Sequence, residues 1–399
     1  MTRHALISGA SVAGPAVAHE LAAHGWRTTV VERAPQLRDE GQNVDVRGAA
    51  REVVRRMGID DAVREAGTGE VGLRFVDDSG GVVAEFPVNE GDADGPTAEL
   101  EILRGEMSRI LHDRTRDRTE YRFGEQITGL TDHGDHVTAT LDSGEVIDAD
   151  VVVVAEGTRS RTREMVLPGA EITELGMHLA YLTLPRTADD DRWWRWHSAA
   201  RCRSVSIRPD NRGTTRAFLA FLSDVRGLDR LDRDDQVMIL RRTFADAGWQ
   251  APRVLDALDD APMYFDSVAQ VRLPRWSNGG TVLLGDAAWS SGPFGTGTGM
   301  ALIGAHVLAG ELATRDDPRA ALARYEELMR PWVTKAQGIR PSMLRVMNPR
   351  TRAGRSVQRT ALGVVGSLYR RVGGPPAGLV RTPLDTIELP DYPVAASAG

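Results

Sequence analysis

A glycine-containing turn between a short apolar strand and a helix is the feature that most constrains the fold of this chain. Residues 4–9 read as a strand, the turn Gly9–Gly14 follows, and residues 15–24 place apolar side chains at helical spacing. A second strand ends at Glu32. The order strand, glycine turn, helix, strand predicts a parallel βαβ unit with a right-handed crossover. We therefore expect an α/β protein whose Rossmann-type sheet begins at the N-terminus.

The same turn predicts a dinucleotide site. Small residues let the backbone approach a pyrophosphate closely, and the helix N-terminus directs free N–H groups and a positive dipole at it. Glu32 lies about 20 residues further on, where a carboxylate accepts from ribose hydroxyls, which favours FAD or NAD over a cofactor with a 2′-phosphate. The alternative is a glycine turn in an α/β domain that binds no nucleotide. The residues assigned to the cofactor here are Gly9, Ser11, Val12, Ala13, Gly14 and Glu32.

Two further buried strands predict that the nucleotide-binding domain is discontinuous. Val151–Ala155 and Thr281–Leu284 are continuous apolar runs, as expected for strands covered on both faces. Between them, short alternating segments predict a mainly antiparallel sheet, and Val71–Val88 reads as a hairpin. The predicted units are a nucleotide-binding domain (1–70, 97–168 and 276–320), a substrate domain (71–96 and 169–275) and a C-terminal helical region with a tail (321–399).

Three other segments carry local predictions. Arg51–Gly67 and 101–116 are expected to be helical, and the tail from Pro375 to Gly399 is expected to wrap the surface or to fray.

A second site signal lies at Gly285-Asp286-Ala287-Ala288, directly after a buried strand and before Gly295–Gly299 and a long helix. A carboxylate at a strand end can accept hydrogen bonds from ribityl hydroxyls, while glycine N–H groups can face flavin oxygens or phosphate. The alternative is a helix-capping aspartate with a flexible loop. The residues assigned to the cofactor from this segment are Asp286, Gly297, Thr298 and Gly299.

Composition excludes several other classes of protein. With 41% hydrophobic and 26% charged residues and a formal net charge of −7, the 399-residue chain has a globular balance. Cys202 is the only cysteine, which excludes an internal disulfide. No stretch approaches the roughly 18–20 apolar residues of a membrane span, and we expect a cytoplasmic location. Basic residues are interleaved with acids, so no nucleic-acid partner is expected. The oligomeric state is not indicated.

Three segments together resemble the single-component FAD-dependent aromatic hydroxylases, whose fold is that of para-hydroxybenzoate hydroxylase. They are the turn with Glu32-Arg33, the segment Glu156–Arg163 with its Glu-Gly pair, and Gly285-Asp286 with Pro293 and the following glycines. Their order and separations match over roughly residues 1–315.

Two more segments, 41–46 and 103–109, resemble the branch of that family that includes the tetracycline-inactivating monooxygenases. In that branch the acid matching Asp45 lies near FAD, and the arginine matching Arg104 contacts it.

This resemblance implies a Rossmann-type FAD-binding domain, a mainly antiparallel substrate domain and a C-terminal helical region. It implies an FAD-dependent monooxygenase that uses NADPH or NADH and O₂. The expected reaction hydroxylates or otherwise oxygenates an aromatic or polyketide-like polycyclic small molecule through a flavin C4a-hydroperoxide. Because the flavin carries the chemistry, no catalytic acid, base or metal ligand is predicted. The resemblance adds Arg33, Asp45 and Arg104 to the cofactor residues and assigns Trp289, Pro293 and Phe294 to the substrate.

Four positions depart from the pattern of that family. Glu156 stands where Asp is usual, Trp289 where many members have His, and Gly299 and Gly304 where Asn and Asp are common. Flavin contacts from the glycine loop are therefore expected to come from the backbone.

Other conspicuous side chains leave alternatives open. His178 and His197 are expected to be structural. Trp193–Trp196 is compatible with the wall of an aromatic pocket or with a surface loop beside Asp189–Asp191. The arginines at 201, 203, 208 and 212 are compatible with an anionic substrate or with solvated positions.

Two other functions are alternatives to the monooxygenase. A flavin-dependent halogenase needs a lysine near its substrate and a Trp-x-Trp-x-Ile-Pro segment. Lys335 is the only lysine, and Trp194-Arg195-Trp196 continues as His197-Ser198, so this alternative is disfavoured. A flavin-bearing protein that only binds or sequesters a ligand stays open.

Overall fold

The computed structural model describes residues 2–38, 41–88, 100–293, 296–338, 340–372 and 383–393. Its strands in chain order are β1 (His4–Ser8), β2 (Arg27–Glu32), β3 (Asn43–Asp45), β4 (Gly72–Val76), β5 (Val82–Pro87), β6 (Glu101–Leu103), β7 (Thr119–Phe123), β8 (Ile127–Asp132), β9 (Val137–Leu141), β10 (Val146–Ala149), β11 (Val151–Val154), β12 (Ile172–Pro185), β13 (Trp194–Ala199), β14 (Arg203–Pro209), β15 (Thr214–Leu222), β16 (Met263–Val271), β17 (Ser277–Asn278) and β18 (Thr281–Leu283).

The α-helices in chain order are α1 (Ala13–Ala23), α2 (Ala49–Arg56), α3 (Asp60–Glu65), α4 (Arg104–Thr115), α5 (Thr162–Val166), α6 (Arg233–Phe244), α7 (Ala251–Asp256), α8 (Asp286–Trp289), α9 (Thr296–Thr314), α10 (Pro318–Ala336), α11 (Pro341–Met347) and α12 (Arg352–Val372). Short 3₁₀ turns cover Leu228–Arg230 and Pro383–Thr386.

The first sheet is six-stranded, with the order β17-β18-β11-β1-β2-β7. β1 lies between β11 and β2 and is parallel to both, with Leu6 opposite Val152 and Thr29. β18 pairs in parallel with β11, so the chain returns to the first sheet after residue 280. Every residue of β1 and β11 is buried, as expected for parallel strands with covered faces. This sheet confirms the predicted α/β class and the discontinuous Rossmann-type unit.

The second large sheet is seven-stranded, with the order β16-β12-β15-β14-β13-β4-β5. Its pairs are antiparallel except for β13 with β4. Alternate side chains, such as Leu182 and Leu219, pack against Leu240 and Phe244 of α6. The residues between them, including Phe218, point to the opposite face. The predicted antiparallel sheet is confirmed, and its second face is available to line a site.

Two of the local helix predictions need correction. Residues 101–103 form β6, which pairs with β3, and the helix begins only at Arg104. Arg51–Gly67 forms two helices, α2 and α3, with Gly58 between them at a φ of +66°. A three-residue strand carries too few side chains to show its period, so the sequence gives no signal for β6.

The C-terminal region packs on both sheets. Tyr369 of α12 contacts Phe86 of β5 with ring centroids 5.2 Å apart, and Arg355 forms a bidentate ion pair with Asp78 at 2.5 and 2.7 Å. In the tail, the described residues 383–393 lie against the first unit, with Leu384 only 1% exposed. None of the described helices combines the length and apolarity that crossing a bilayer requires.

Two helical glycines predict opposite effects on stability. A Cβ on Gly310 of α9 would overlap the ring of Tyr392, whereas one on Gly363 of α12 would meet only the Val83 carbonyl oxygen, 3.6 Å away. We expect Gly310→Ala to lower the free energy of unfolding by about 1–3 kcal/mol through overpacking. Gly363→Ala should raise it by about 0.5–1 kcal/mol through helix propensity. Denaturant unfolding of both variants checks this, and equal stabilisation by both would contradict the described contact of the tail.

Candidate active site

One cavity of about 860 Å³ connects the two large sheets. At one end it is lined by residues that follow the carboxyl ends of β1, β2, β11 and β18. At the other end it is lined by the second face of the seven-stranded sheet. Ligands of parallel α/β sheets bind outside the carboxyl ends of the strands, so this is the expected place for a nucleotide and its substrate.

The first turn packs directly on the end of β11 and borders the cavity. Gly9 has a φ of +109°, and a Cβ there would lie 2.5 Å from the Ala155 carbonyl oxygen. Gly14 does not line the cavity: a Cβ at this position would overlap the Gly9 carbonyl, so its role is packing of α1 on the turn. Ser11 is not among the described non-glycine residues with positive φ, so it is accommodated without strain. No side chain caps the N-terminus of α1, which leaves that position suited to a phosphate.

Glu32 is buried at the end of β2 and still borders the cavity. Its Oε2 accepts from the Ala10 N–H at 2.9 Å, and its Oε1 accepts from the Ala34 N–H at 3.0 Å. A carboxylate has about four acceptor positions, so two backbone donors leave capacity for ribose hydroxyls.

Asp286 and Arg104 face the cavity from different elements. Asp286 begins α8 directly after β18, and burial raises the pKa of its carboxyl, with the charge of Arg104 acting in the opposite direction. No described residue donates a hydrogen bond to this carboxylate. Arg104 begins α4, packs against Gly41 and lies 5.8 Å from the ring centroid of Tyr264. The cavity therefore presents an acceptor that a ligand hydroxyl can satisfy.

The remaining predicted residues divide between the cavity wall and the interior. Arg33, Asp45, Gly297, Thr298 and Pro293 line the cavity, as do Val12 and Ala13. Gly299 does not: it is buried, and a Cβ there would lie 2.7 Å from Cδ1 of Leu384. Phe294 lies outside the described residues.

The prediction of a substrate contact for Trp289 is not supported by its position. Its indole is 2% exposed and packs on Trp276 and Tyr325, with centroids 4.7 and 5.9 Å apart, away from the cavity lining. A Cβ on Gly304 would approach Cζ2 of Trp289 to 2.9 Å. The departures at positions 289 and 304 are therefore linked, because the indole of Trp289 occupies the space that a side chain at position 304 would need.

Glu156 has a local structural role as well as a position on the cavity wall. Its carboxylate accepts from the hydroxyls of Ser8 (2.6 Å), Ser160 (2.8 Å) and Thr162 (2.6 Å), and from the Arg161 and Thr162 amides. These bonds connect the ends of β1 and β11 to α5. The extra methylene of Glu relative to Asp is accommodated by this turn.

An aromatic surface forms the end of the cavity that lies on the seven-stranded sheet. Trp194 and Trp196 alternate on β13 and both face it, with Phe218 4.9 Å from Trp196 and Tyr181 6.1 Å from Phe218 between ring centroids. Trp193 points away and packs under the guanidinium of Arg74. Of the two alternatives for Trp193–Trp196, the wall of an aromatic pocket is thus correct for Trp194 and Trp196. The sequence contained a signal for this arrangement, because the two-residue period of a strand places both tryptophans of a Trp-x-Trp segment on the same face.

The histidines and arginines singled out in the sequence are placed as follows. His178 and His197 are buried, and burial lowers the pKa of both imidazoles. Arg208 and Arg212 line the cavity. The other two arginines, 201 and 203, do not line it, and both pair with Asp246.

Residues 2–337 match the protein family described as FAD binding domain. The chain belongs to this FAD-binding family. Flavin-dependent monooxygenase eupH of Phoma sp. is 34% identical over 423 residues, which cover 97% of each chain. The crystal structure of tetracycline destructase Tet(55) is 31% identical and covers 98% of this chain and 99% of that one, with a TM-score of 0.81. Klebsiella pneumoniae HpxO, complexed with FAD and uric acid, shares the fold at 20% identity and a TM-score of 0.78, over 93% of this chain and 95% of that one.

The protein is therefore an FAD-dependent monooxygenase with NAD(P)H as co-substrate. The residues present fit FAD: Gly9 and the uncapped start of α1 border the cavity, the buried Glu32 has spare acceptor capacity, and the Asp286 carboxylate has no hydrogen-bond donor among the described residues.

The environment of Asp286 predicts that replacing this residue weakens cofactor binding and stabilises the apoprotein. Asp286→Asn should weaken FAD binding about tenfold or more, because a hydrogen bond to a charged acceptor is worth about 1.5–3 kcal/mol. Burial raises the pKa of Asp286, so ionisation of this carboxyl opposes folding. That penalty is absent below the ordinary pKa of an aspartate and complete above the raised one.

The apo form of Asp286→Asn should therefore gain melting temperature over the wild type as pH rises through that window. Fluorescence titration with FAD and calorimetry of both apoproteins measure the two effects. The exposed Asp316 provides the matched control, Asp316→Asn, which should change neither. Unchanged FAD affinity in folded Asp286→Asn would refute the assignment.

Proposed function

We propose that this monooxygenase oxygenates a flat, uncharged polycyclic aromatic molecule bound against the aromatic wall of the cavity. The observation that carries the proposal is the combination of that wall with arginines whose charges are already paired.

The shape of the wall favours a ring system over a flexible chain. Trp194, Trp196, Phe218 and Tyr181 present neighbouring rings at centroid separations of 4.9–6.1 Å. Aromatic surfaces of this kind bind flat ligands through stacking and edge contacts. Met177 and Leu179 extend the surface with apolar side chains. An extended planar molecule satisfies this wall better than a single small ring.

The charges favour an uncharged molecule. Arg212 pairs with Glu106 at 2.6 Å, Arg216 with Asp210 at 2.9 Å, and Arg208 with Glu70 at 2.8 Å. A guanidinium that is already paired gains little from a ligand carboxylate, which would have to lose its own hydration. The alternative of an anionic substrate held by Arg208 and Arg212 is therefore disfavoured.

The chain's residues have distinct tasks in the reaction. Bound FAD, once reduced by NAD(P)H, supplies the reactivity toward O₂. The Gly9 turn and the N-terminus of α1 hold phosphate, Glu32 holds ribose hydroxyls, and Asp286 with Arg104 borders the remainder of the cofactor. The aromatic wall orients the substrate and excludes water from the cavity.

The relatives support a polycyclic substrate. Tet(55) is named a tetracycline destructase, and tetracycline is a fused-ring molecule. The match to Tet(55) covers nearly the full length of both chains, so the seven-stranded sheet that carries the aromatic wall is part of the shared fold.

The turnover experiment separates a monooxygenase from a flavin-bearing binder. Purified protein with FAD should oxidise NADPH or NADH slowly alone and faster with a polycyclic phenol, for which tetracycline and 1,8-dihydroxyanthraquinone serve as probes. Under ¹⁸O₂ the product should contain one labelled oxygen atom, as mass spectrometry would show. Label found only in water or peroxide, for each probe that binds, would favour the binder.

A tryptophan pair tests the aromatic wall. Trp196→Ala should raise KM for the accepted polycycle about tenfold or more, because truncation removes the central ring of the wall. Trp193→Ala should leave KM within about threefold, since Trp193 is three residues from Trp196, points to the opposite face and packs on Arg74. Steady-state kinetics of both variants decide the matter, and equal effects would argue against the proposed substrate position.

A further inference from the structure

The cavity wall at Arg208 contains one more acid than an ordinary ion pair requires. Arg208 of β14 contacts Glu101 of β6 and lies 2.8 Å from Glu70, which precedes β4. The side chains of Glu70, Glu101 and Arg208 are 2, 3 and 12% exposed. Trp194 covers the guanidinium at 4.0 Å from its ring centroid. The acids are therefore behind the wall, and Arg208 forms part of its surface.

The described residues around the two acids provide no second cation for them. Asp45 of β3 is the other acid close to the cluster, and it has its own partner in Arg47 at 3.2 Å. The neighbours of Glu101 that donate hydrogen bonds, Asn43 and Thr68, are uncharged. Two buried carboxyls thus share one guanidinium.

One oxygen of Glu70 shows where a proton would be needed. Oε1 of Glu70 is buried and has no hydrogen-bond partner among the described residues, which costs much more for an ionised carboxylate than for a neutral carboxylic acid. Burial raises the pKa of both Glu70 and Glu101, while Arg208 acts in the opposite direction. Like-charged carboxyls in one site cannot both ionise easily.

We infer that Glu70 and Glu101 are specificity-determining residues. They share one proton beside Arg208, so the three groups together carry no net charge and this wall of the cavity does not attract aromatic carboxylates. The inference rests on the proposed function, because it explains how an arginine can border a site for uncharged rings. It also makes the two acids redundant: if either is neutralised, the other ionises and still balances Arg208.

The test uses the FAD-loaded protein and two probes that differ in charge, 3-hydroxy-2-naphthamide and 3-hydroxy-2-naphthoate. The measured quantity is the ratio of their dissociation constants, from quenching of tryptophan fluorescence. The wild type should bind the naphthoate about tenfold or more weakly than the amide. Glu70→Gln and Glu101→Gln should each keep this ratio within about threefold of the wild type.

The double variant Glu70→Gln/Glu101→Gln should shift the ratio about tenfold or more toward the naphthoate, because Arg208 is then unpaired. The naphthoate should also raise the melting temperature of the double variant and not that of the wild type. Glu52→Gln/Glu85→Gln removes two acids that pair with arginines away from the cavity and should behave as wild type. A wild-type ratio in the folded double variant, or a full shift in one single variant, would overturn the inference.

Infrared spectroscopy keeps the test decisive if the double variant does not fold. Near neutral pH the wild type should show a carboxylic-acid C=O band that is absent from both single variants, since each leaves one ionised acid on Arg208. Persistence of the wild-type spectrum in both would overturn the shared proton. These readouts do not depend on turnover: a protein that binds the amide and oxygenates no polycycle would contradict the proposed function alone.

Discussion

The contact of Gly9 with Ala155, at the carboxyl ends of two adjacent parallel strands, is the constraint on which the site depends. No side chain fits between them, so β1 and β11 end close together and α1 begins directly above the junction. The same register places Glu32 at the end of β2 on one side and Asp286 after β18 on the other. The residues assigned to the cofactor are far apart in the chain, and they come together because parallel strands end at one edge.

Glycines elsewhere in this unit allow the C-terminal tail to approach. Leu384 lies against Gly299, and its carbonyl lies 2.5 Å from the Cβ position of Gly48. These contacts connect the tail to the starts of α2 and α9. Gly299, which its own segment assigns to the cofactor, is therefore used here for packing, and Trp289, which the resemblance assigns to the substrate, packs in the interior beside Gly304.

Charge compensation gives the substrate end of the cavity its character. Arginines are frequent in this chain, and three that line this end of the cavity, Arg208, Arg212 and Arg216, are each paired with an acid. Buried pairs of this kind add little net stability because desolvation offsets their attraction. Their effect is on the field that a ligand meets, which is why the aromatic wall can select for shape.

Much of the cofactor site was predictable from the sequence, because local chemistry specifies it. The Gly9 turn, Glu32 and Asp286 each carry a signal in a few consecutive residues. The continuous apolar run that includes Val151–Val154 predicts the strand that joins them. Only the tertiary structure decided which side of each element faces the cavity: it turned Trp289 and Gly299 into the interior and brought Trp194 to the wall. It also assembled Glu70, Glu101 and Arg208, since β6 is too short to show a period and the pairing of distant strands leaves no trace in local sequence.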